Sequence, residues 1–391
     1  MSDEIIGSAY APAKGQYVRL TRLQLKGFRS IAAEDIAFTT VNALIGPNGA
    51  GKSNLIAFLR MLAYMLSGDQ GLSRYVAQLG GATEILHYGP KVTPRMWACL
   101  TLETEQGVND YEFTLAYASG DRLYFDMERC RFSAKGKSIN NKWIDFGAGH
   151  NSPGLLHTPE ATALKTQKTI LTLLRGLHVY QFHDTSRLAK LKQGSFESDN
   201  RFLRDDAGNI AAFLLRLREK YFVYYRRIIE VLKQIAPFFE DFILESEGGK
   251  VLLRWADDCG DYIFGPDQMS DGTIRAVALL TLLLQPPELL PAMIVIDEPE
   301  LGLHPFAVRV VAALVRAAAS ERQCLVATQS PEFLNEFDIE EVIIVDRIGD
   351  SSSLRRLSAP EFEIWLDDYT LGELWDMNLL GGRPNAATSK S

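Results

Sequence analysis

One stretch constrains this chain more than any other. Gly46-Pro47-Asn48-Gly49-Ala50-Gly51-Lys52-Ser53 satisfies the pattern G-x-x-x-x-G-K-[ST] at every fixed position. Val41–Ile45 before it is a short apolar run rich in β-formers, and Asn54–Leu62 after it carries apolar residues at helical spacing. Strand, glycine loop and helix in that order are what the pattern needs, because backbone N–H groups at a helix start cradle anionic phosphate. Lys52 is then placed to reach β- and γ-phosphates, and the Ser53 hydroxyl to ligate Mg²⁺. The segment from Gly46 to Asn54 therefore predicts a nucleoside triphosphate site.

A second stretch supplies the opposite charge. Ile294-Val295-Ile296-Asp297-Glu298-Pro299-Glu300 reads as a buried apolar strand ending in carboxylates. That puts negative charge where Mg²⁺ and an attacking water must sit. Asp297 is the expected Mg²⁺ ligand, direct or through water, and Glu298 the residue that polarises the water. Glu300 is expected to face solvent or a neighbouring helix. A third stretch, Ser270-Asp271-Gly272, precedes the helical run Ile274–Leu284. Ser and Gly at a helix start make an anion site, although the same triplet is also an ordinary turn and cap.

The rest of the chain organises around these stretches. At 391 residues it exceeds one typical domain, so a nucleotidase core with an inserted region is expected. Val18–Leu25, Arg95–Glu105, Tyr111–Tyr117 and Leu123–Phe132 read as strands. Residues 133–157, rich in Gly, Asn, Ser and Lys, read as a loop. Thr158-Pro159-Glu160 signals a helix start, Leu177–Phe182 a strand, and Asn209–Ile235 the longest helix, ended by Pro237. Strands then alternate with helices: Met293–Ile296, Phe306–Ser320, Gln323–Ala327 and Val342–Val345. That alternation predicts an α/β fold with a mostly parallel core sheet, the glycine loop at a strand's carboxyl end, an antiparallel β lead-in and an inserted helical lobe. The divisions expected are a tail (1–16), the first part of the head (17–132), the inserted lobe (133–249), the second part of the head (250–382) and a tail (383–391).

Composition narrows the setting. A net charge of −8 exerts no overall pull toward nucleic acid, although a local basic groove would not show in it. Cys99, Cys130, Cys259 and Cys324 are widely spaced, which reads as reduced core cysteines rather than disulfides or zinc ligands. No apolar run approaches the ~20 residues of a membrane helix, and the first residues lack a signal-peptide pattern. A cytoplasmic protein with no membrane partner is expected.

In the order of its motifs the chain resembles the ABC-type ATPases, and within them the RecF/SMC-like branch. Gly46–Ser53 matches Walker A, Ile294–Glu298 Walker B, and Ser270-Asp271-Gly272 a degenerate signature motif. Leu301-Gly302-Leu303-His304-Pro305 is similar to the D-loop, and Lys26-Gly27-Phe28-Arg29-Ser30 to the lead-in of that branch. More closely, the chain resembles the AAA_21, or OLD-like, ATPases without a nuclease domain, a group also echoed by His183-Asp184-Thr185-Ser186 and Thr370–Trp375.

The resemblance implies ATP hydrolysis with Mg²⁺, with ATP held between Lys52 of one head and Ser270 of another. It thus implies a homodimer or higher oligomer closed by ATP. At the switch position, where that branch usually has His, this chain has Gln329, which can bond a γ-phosphate but carries no titratable proton. Slow turnover is the consequence. For the Q-loop the nearest candidate is Gln78, better read as a surface glutamine. The 60 or so residues after Gln329 are too few for a nuclease domain, so any cutting falls to a separate effector protein. Three roles remain open at this level: a DNA-linked ATPase in repair or mobile-element defence, a slow scaffold or sensor that holds and releases an effector such as a nuclease, and a transporter motor. Arg216, Arg218, Lys220, Arg226, Arg227 and Lys233 of the 209–235 stretch could line a DNA groove, but a solvated face is the simpler reading.

Overall fold

The computed structural model describes residues 18–138, 142–157, 164–258, 260 and 262–381. Two six-stranded sheets dominate it. The first is antiparallel, in the order β2-β1-β4-β5-β6-β7, built from β1 (Arg19–Phe28), β2 (Ile31–Ala37), β4 (Arg95–Thr104), β5 (Gly107–Ala118), β6 (Arg122–Ala134) and β7 (Ile144–Gly147). The second runs β18-β17-β3-β16-β15-β8, from β3 (Val41–Ile45), β8 (Leu177–Tyr180), β15 (Met293–Asp297), β16 (Gln323–Thr328), β17 (Val342–Ile348) and β18 (Ser351–Arg356). All its neighbours pair in parallel except β17 with β18. Two small three-stranded sheets complete the set: β9 (Ser195–Phe196) with β11 (Ser246–Glu247) and β12 (Lys250–Val251), and β10 (Phe239–Ile243) with β13 (Arg254–Asp257) and β14 (Ile263–Phe264).

The central strands are apolar throughout because both faces of the parallel sheet are covered. Every residue of β3 and β15 is buried. Alternation then sorts the side chains. Ala43, Ile45, Ile294 and Ile296 join the core formed with α7 (Asp271–Leu283) and α8 (Pro305–Ala319). Leu44, Met293 and Val295 join the other core, with α1 (Lys52–Met65) and the antiparallel sheet. One strand set thus anchors the glycine-loop helix on one face and the Ser-Asp-Gly helix on the other.

The remaining helices are α2 (Gly71–Gln78), α3 (Gly154–His157), α4 (Lys165–Arg175), α5 (Ile210–Lys220), α6 (Phe222–Ile235), α9 (Pro331–Leu334), α10 (Ala359–Leu366) and α11 (Leu371–Asp376). The mixed α/β fold with a mostly parallel core sheet is as expected, and three local readings are corrected. Residues 133–157 are not simply a loop, since they contain β7 and α3. The long helix 209–235 is two, because Tyr221 leaves helical geometry (φ −136°, ψ 47°), capping α5 and starting α6. And β8, within the span expected to be an inserted lobe, is the edge strand of the core sheet. The expected cap at Thr158 and the tails 1–16 and 383–391 lie outside the described residues, as does Cys259. Cys99, Cys130 and Cys324 are buried free thiols.

Candidate functional site

Four neighbouring parallel strands, β3, β16, β15 and β8, end on the same edge of the sheet, and the segments that leave their carboxyl ends form the site. After β3 comes the glycine loop. Its last glycine, Gly51, has φ +125°, and a Cβ there would lie 2.0 Å from Ser352 Oγ. Only glycine fits both the backbone and the space. Ser352 Oγ in turn donates to the Ala50 carbonyl at 2.5 Å, so β18 braces the loop. Pro47 O accepts from Ala50 N–H at 3.2 Å, and Asn48 and Gly49 form the exposed tip.

Lys52, the first residue of α1, is buried, and its ammonium donates back to the carbonyls of Gly46 and Pro47. Burial pulls its pKa below the ordinary range, while Glu298, Asp297 and Glu300 act in the opposite sense through space. Ser53 is exposed beside it. Asn54 donates to Ser30 Oγ at 2.5 Å and accepts from Arg29 at 3.5 Å, which docks the lead-in turn onto the start of α1. Arg29 Nε is buried there without a partner. An unpaired buried donor costs about 1–3 kcal/mol, and beside a phosphate loop it suits an anionic ligand.

The carboxylates sit one strand beyond β16. Asp297, the last residue of β15, is buried, and its Oδ2 accepts from Gln181 Nε2 at 2.7 Å. Its backbone carbonyl accepts from His183 Nε2 at 3.0 Å. Glu298 comes next with φ +47°, a left-handed backbone uncommon outside glycine. Its Oε1 accepts from the Gln329 amide, and His183 Nε2 is 4.0 Å from its Oε2. Glu300 faces neither solvent nor a neighbouring helix, the two readings the sequence offers: its carboxyl turns inward and binds the end of β16 through Thr328 and Gln329. The reason is the turn at Pro299, which folds Glu300 back over the neighbouring strand.

Ser270 caps α7, accepting from Thr273 N–H at 3.1 Å, and is exposed. Asp271 is 3.6 Å from Lys192. Gly272 lies so close to the turn after β15 that a Cβ would stand 2.4 Å from the Gly302 carbonyl. Among the described residues, no hydrogen bond or ion pair joins these three to the glycine loop. One turn further along α7, Arg275 donates to the carbonyls of Phe182, His183 and Leu301 and to Thr185 Oγ1. It ties α7 to the segment after β8 and to the segment after β15.

Gln181 and Arg275 escaped the sequence reading. The signal for Gln181 is that three of the four residues Gln181-Phe182-His183-Asp184, at the end of a strand, are polar. Gln78, the nearest Q-loop candidate but better read as a surface glutamine, is exposed at the end of α2. The residues fit an Mg²⁺–nucleotide. Among the described residues no three His, Cys, Asp or Glu side chains gather into a metal cage. Mg²⁺ needs none, since it takes one or two protein ligands together with substrate phosphates.

Three of the six basic residues singled out on α5 and α6 are engaged within the chain. Arg216 donates to the carbonyls of Asn200 and Arg201, Arg218 to that of Leu244, and Lys233 pairs with Glu240 at 2.6 Å. No helix of the described residues is long and apolar enough to cross a membrane.

Comparison with known proteins agrees with this fold. A family model described as "AAA domain" matches residues 22–236, and one described as "AAA domain, putative AbiEii toxin, Type IV TA system" matches residues 172–335. No curated protein matches. Among solved structures, an Smc head bound to the C-winged helix domain of ScpA aligns with a TM-score of 0.59 at 17% identity, over 88% of this chain and 99% of that one. An Smc head with an extended coiled coil, bound to the C-terminal domain of ScpA and derived from Pyrococcus furiosus, aligns with a TM-score of 0.57 at 14% identity, over 90% and 99%. At these identities the likeness is one of fold.

Proposed function

Since the chain belongs to the AAA-domain family, is an ATPase and shares the fold of Smc heads, we propose that it is of the ABC type and hydrolyses ATP with Mg²⁺ at composite sites closed by a second copy of the chain. The observation that carries this reading is the convergence at one sheet edge: Lys52 after β3, Gln329 after β16, Asp297 and Glu298 at the end of β15, and Gln181 after β8. The loop backbone from Gly46 to Gly51 and Lys52 hold the triphosphate. Ser53 and Asp297 would hold Mg²⁺, which when bound would neutralise charge on the triphosphate. Glu298 takes a proton from the attacking water, whose oxygen then displaces ADP from the γ-phosphorus. Gln329 orients Glu298 and bonds the γ-phosphate without a titratable proton, consistent with slow turnover. Ser270 and Asp271, exposed and unattached to their own glycine loop, are available to a partner's nucleotide.

For the biological role, two readings have support. The family description that names a type IV TA system favours a part in defence against mobile elements. The Smc heads were solved with ScpA bound, which favours a head that carries a protein partner and couples its nucleotide state to holding or releasing that partner. We favour this scaffold within defence over direct action on DNA, because Arg216, Arg218 and Lys233 of α5 and α6 bond the chain's own carbonyls and a carboxylate.

The test is hydrolysis by the purified protein with and without double-stranded DNA, beside Lys52→Ala and Glu298→Gln. Slow hydrolysis indifferent to DNA and lost in both variants is expected. Stimulation by DNA would move the assignment to a nucleic-acid-linked motor. Retention of activity in Glu298→Gln would remove the proposed mechanism.

A further inference from the structure

Two carboxylates leave the end of β15 two residues apart and meet opposite surroundings. The Glu298 side chain is 27% exposed and receives the Gln329 side-chain amide. Glu300 turns inward, where its Oε1 accepts from Thr328 Oγ1 at 2.6 Å and from the Gln329 backbone N–H at 2.9 Å. Its Oε2 is buried without a partner. Burial pushes the Glu300 carboxyl above the usual carboxylate range, against the pull of those two hydrogen bonds. Thr328, the last residue of β16, is fully buried, and its hydroxyl also accepts from Ser330 N–H at 3.0 Å. Gln329 is therefore held twice, by its backbone to Glu300 and by its side chain to Glu298. With the backbone N–H fixed, only the side-chain torsions of Gln329 remain to be set, and they end on Glu298 Oε1.

We propose that Glu300 is a positioning residue for hydrolysis, which pins the end of β16 so that the Gln329 amide stays on one oxygen of Glu298 and leaves the other as the basic oxygen. Glu300 touches neither nucleotide nor water in this role. It acts through Gln329, and the inference rests on the reading of Glu298 as the group that takes the proton. The competing account makes Glu300 a plain tie between two strand ends, contributing to stability alone. The two accounts separate because a tie has no reason to act through the Gln329 side chain.

The experiment measures kcat, KM for ATP and the melting temperature for Glu300→Ala, Glu300→Gln, Gln329→Ala and the Glu300→Ala/Gln329→Ala double variant. Glu300→Ala is expected to lower kcat about tenfold to a hundredfold with KM within about twofold, as misplacement of a catalytic group does. Once the Gln329 amide is gone, removing Glu300 should cost nothing more, so the double variant should match Gln329→Ala within about twofold. The Glu300→Gln amide oxygen can accept from the same two donors, so kcat should return to within about threefold of the native value.

An unchanged kcat in Glu300→Ala, or losses that multiply in the double variant, would overturn the proposal. If Glu300→Ala fails to fold, Thr328→Val removes one of the two donors and carries the same expectation at smaller amplitude. An unimpaired Glu298→Gln enzyme would instead remove the underlying reading of Glu298, so the two failures are told apart.

Discussion

The glycine loop and the carboxylate end of the site stand two strands apart on one sheet edge and are built in opposite ways. The loop is eight consecutive residues closed on themselves: Lys52 bonds the carbonyls of Gly46 and Pro47, and Ala50 the carbonyl of Pro47. The carboxylate end is assembled from four separated segments, with Gln181 and His183 after β8, Asp297 to Glu300 after β15, Gln329 after β16 and Arg275 on α7. The loop's closing bonds lie within one stretch of chain, with Ser352 of β18 as their brace. An assembled cluster is set by how strands and helices sit against one another. On the proposed reading, the first region sets affinity and the second sets turnover.

Substitutions should respect that division. The largest effect is expected from Lys52→Ala, which removes the loop's only cationic side chain: hydrolysis should fall below detection and ATP affinity by at least about tenfold, measured by titration calorimetry. Glu298→Gln should come next, with kcat lower by about 10²–10⁴-fold, the span of general-base catalysis. ATP affinity should stay near native, and an ATP-bound dimer should accumulate in sedimentation velocity. Loss of ATP binding in Glu298→Gln would break the comparison, because turnover and affinity would then share one region. Gly51→Ala sharpens it from the other side. The new Cβ meets Ser352 Oγ at 2.0 Å on a left-handed backbone, so the loop must distort, at about 1–3 kcal/mol. Its melting temperature and its ATP affinity should fall together.

The same division explains what could be read in advance. The loop, the β15 carboxylates and the parallel core were legible because each is local. An apolar run buried on both faces, a glycine pattern or two acids at a strand end can be recognised without knowing their neighbours. Gln181 was not legible, because its meaning lies in pairing. Parallel register sets Tyr180 opposite Ile296, so the next residue on each strand brings Gln181 beside Asp297. Gln78 was nearer to the glycine loop in sequence but lies exposed at the end of α2. Glu300 was misread for a related reason. An acid after Pro299 looks like a surface turn until Thr328 and Gln329 arrive beside it from a strand about 30 residues away. The break at Tyr221 was hidden because apolar residues keep helical spacing on both sides of it.

The smallest predicted effect probes the join between the two regions. Gln181 holds one oxygen of Asp297 at 2.7 Å and touches no residue of the glycine loop among its hydrogen bonds. Removing its amide leaves the Asp297 carboxylate charged and in place but free to rotate, and partners that orient a metal ligand are worth about 10–100-fold in metal affinity. Gln181→Ala should therefore raise the Mg²⁺ concentration for half-maximal hydrolysis by about tenfold, at the lower end of that range. Nucleotide binding measured without Mg²⁺ should be unchanged, since Lys52 and the loop backbone are untouched. If Mg²⁺-free binding weakened as well, Gln181 would belong to the phosphate cradle, and the edge strand β8 would be part of the region that sets affinity.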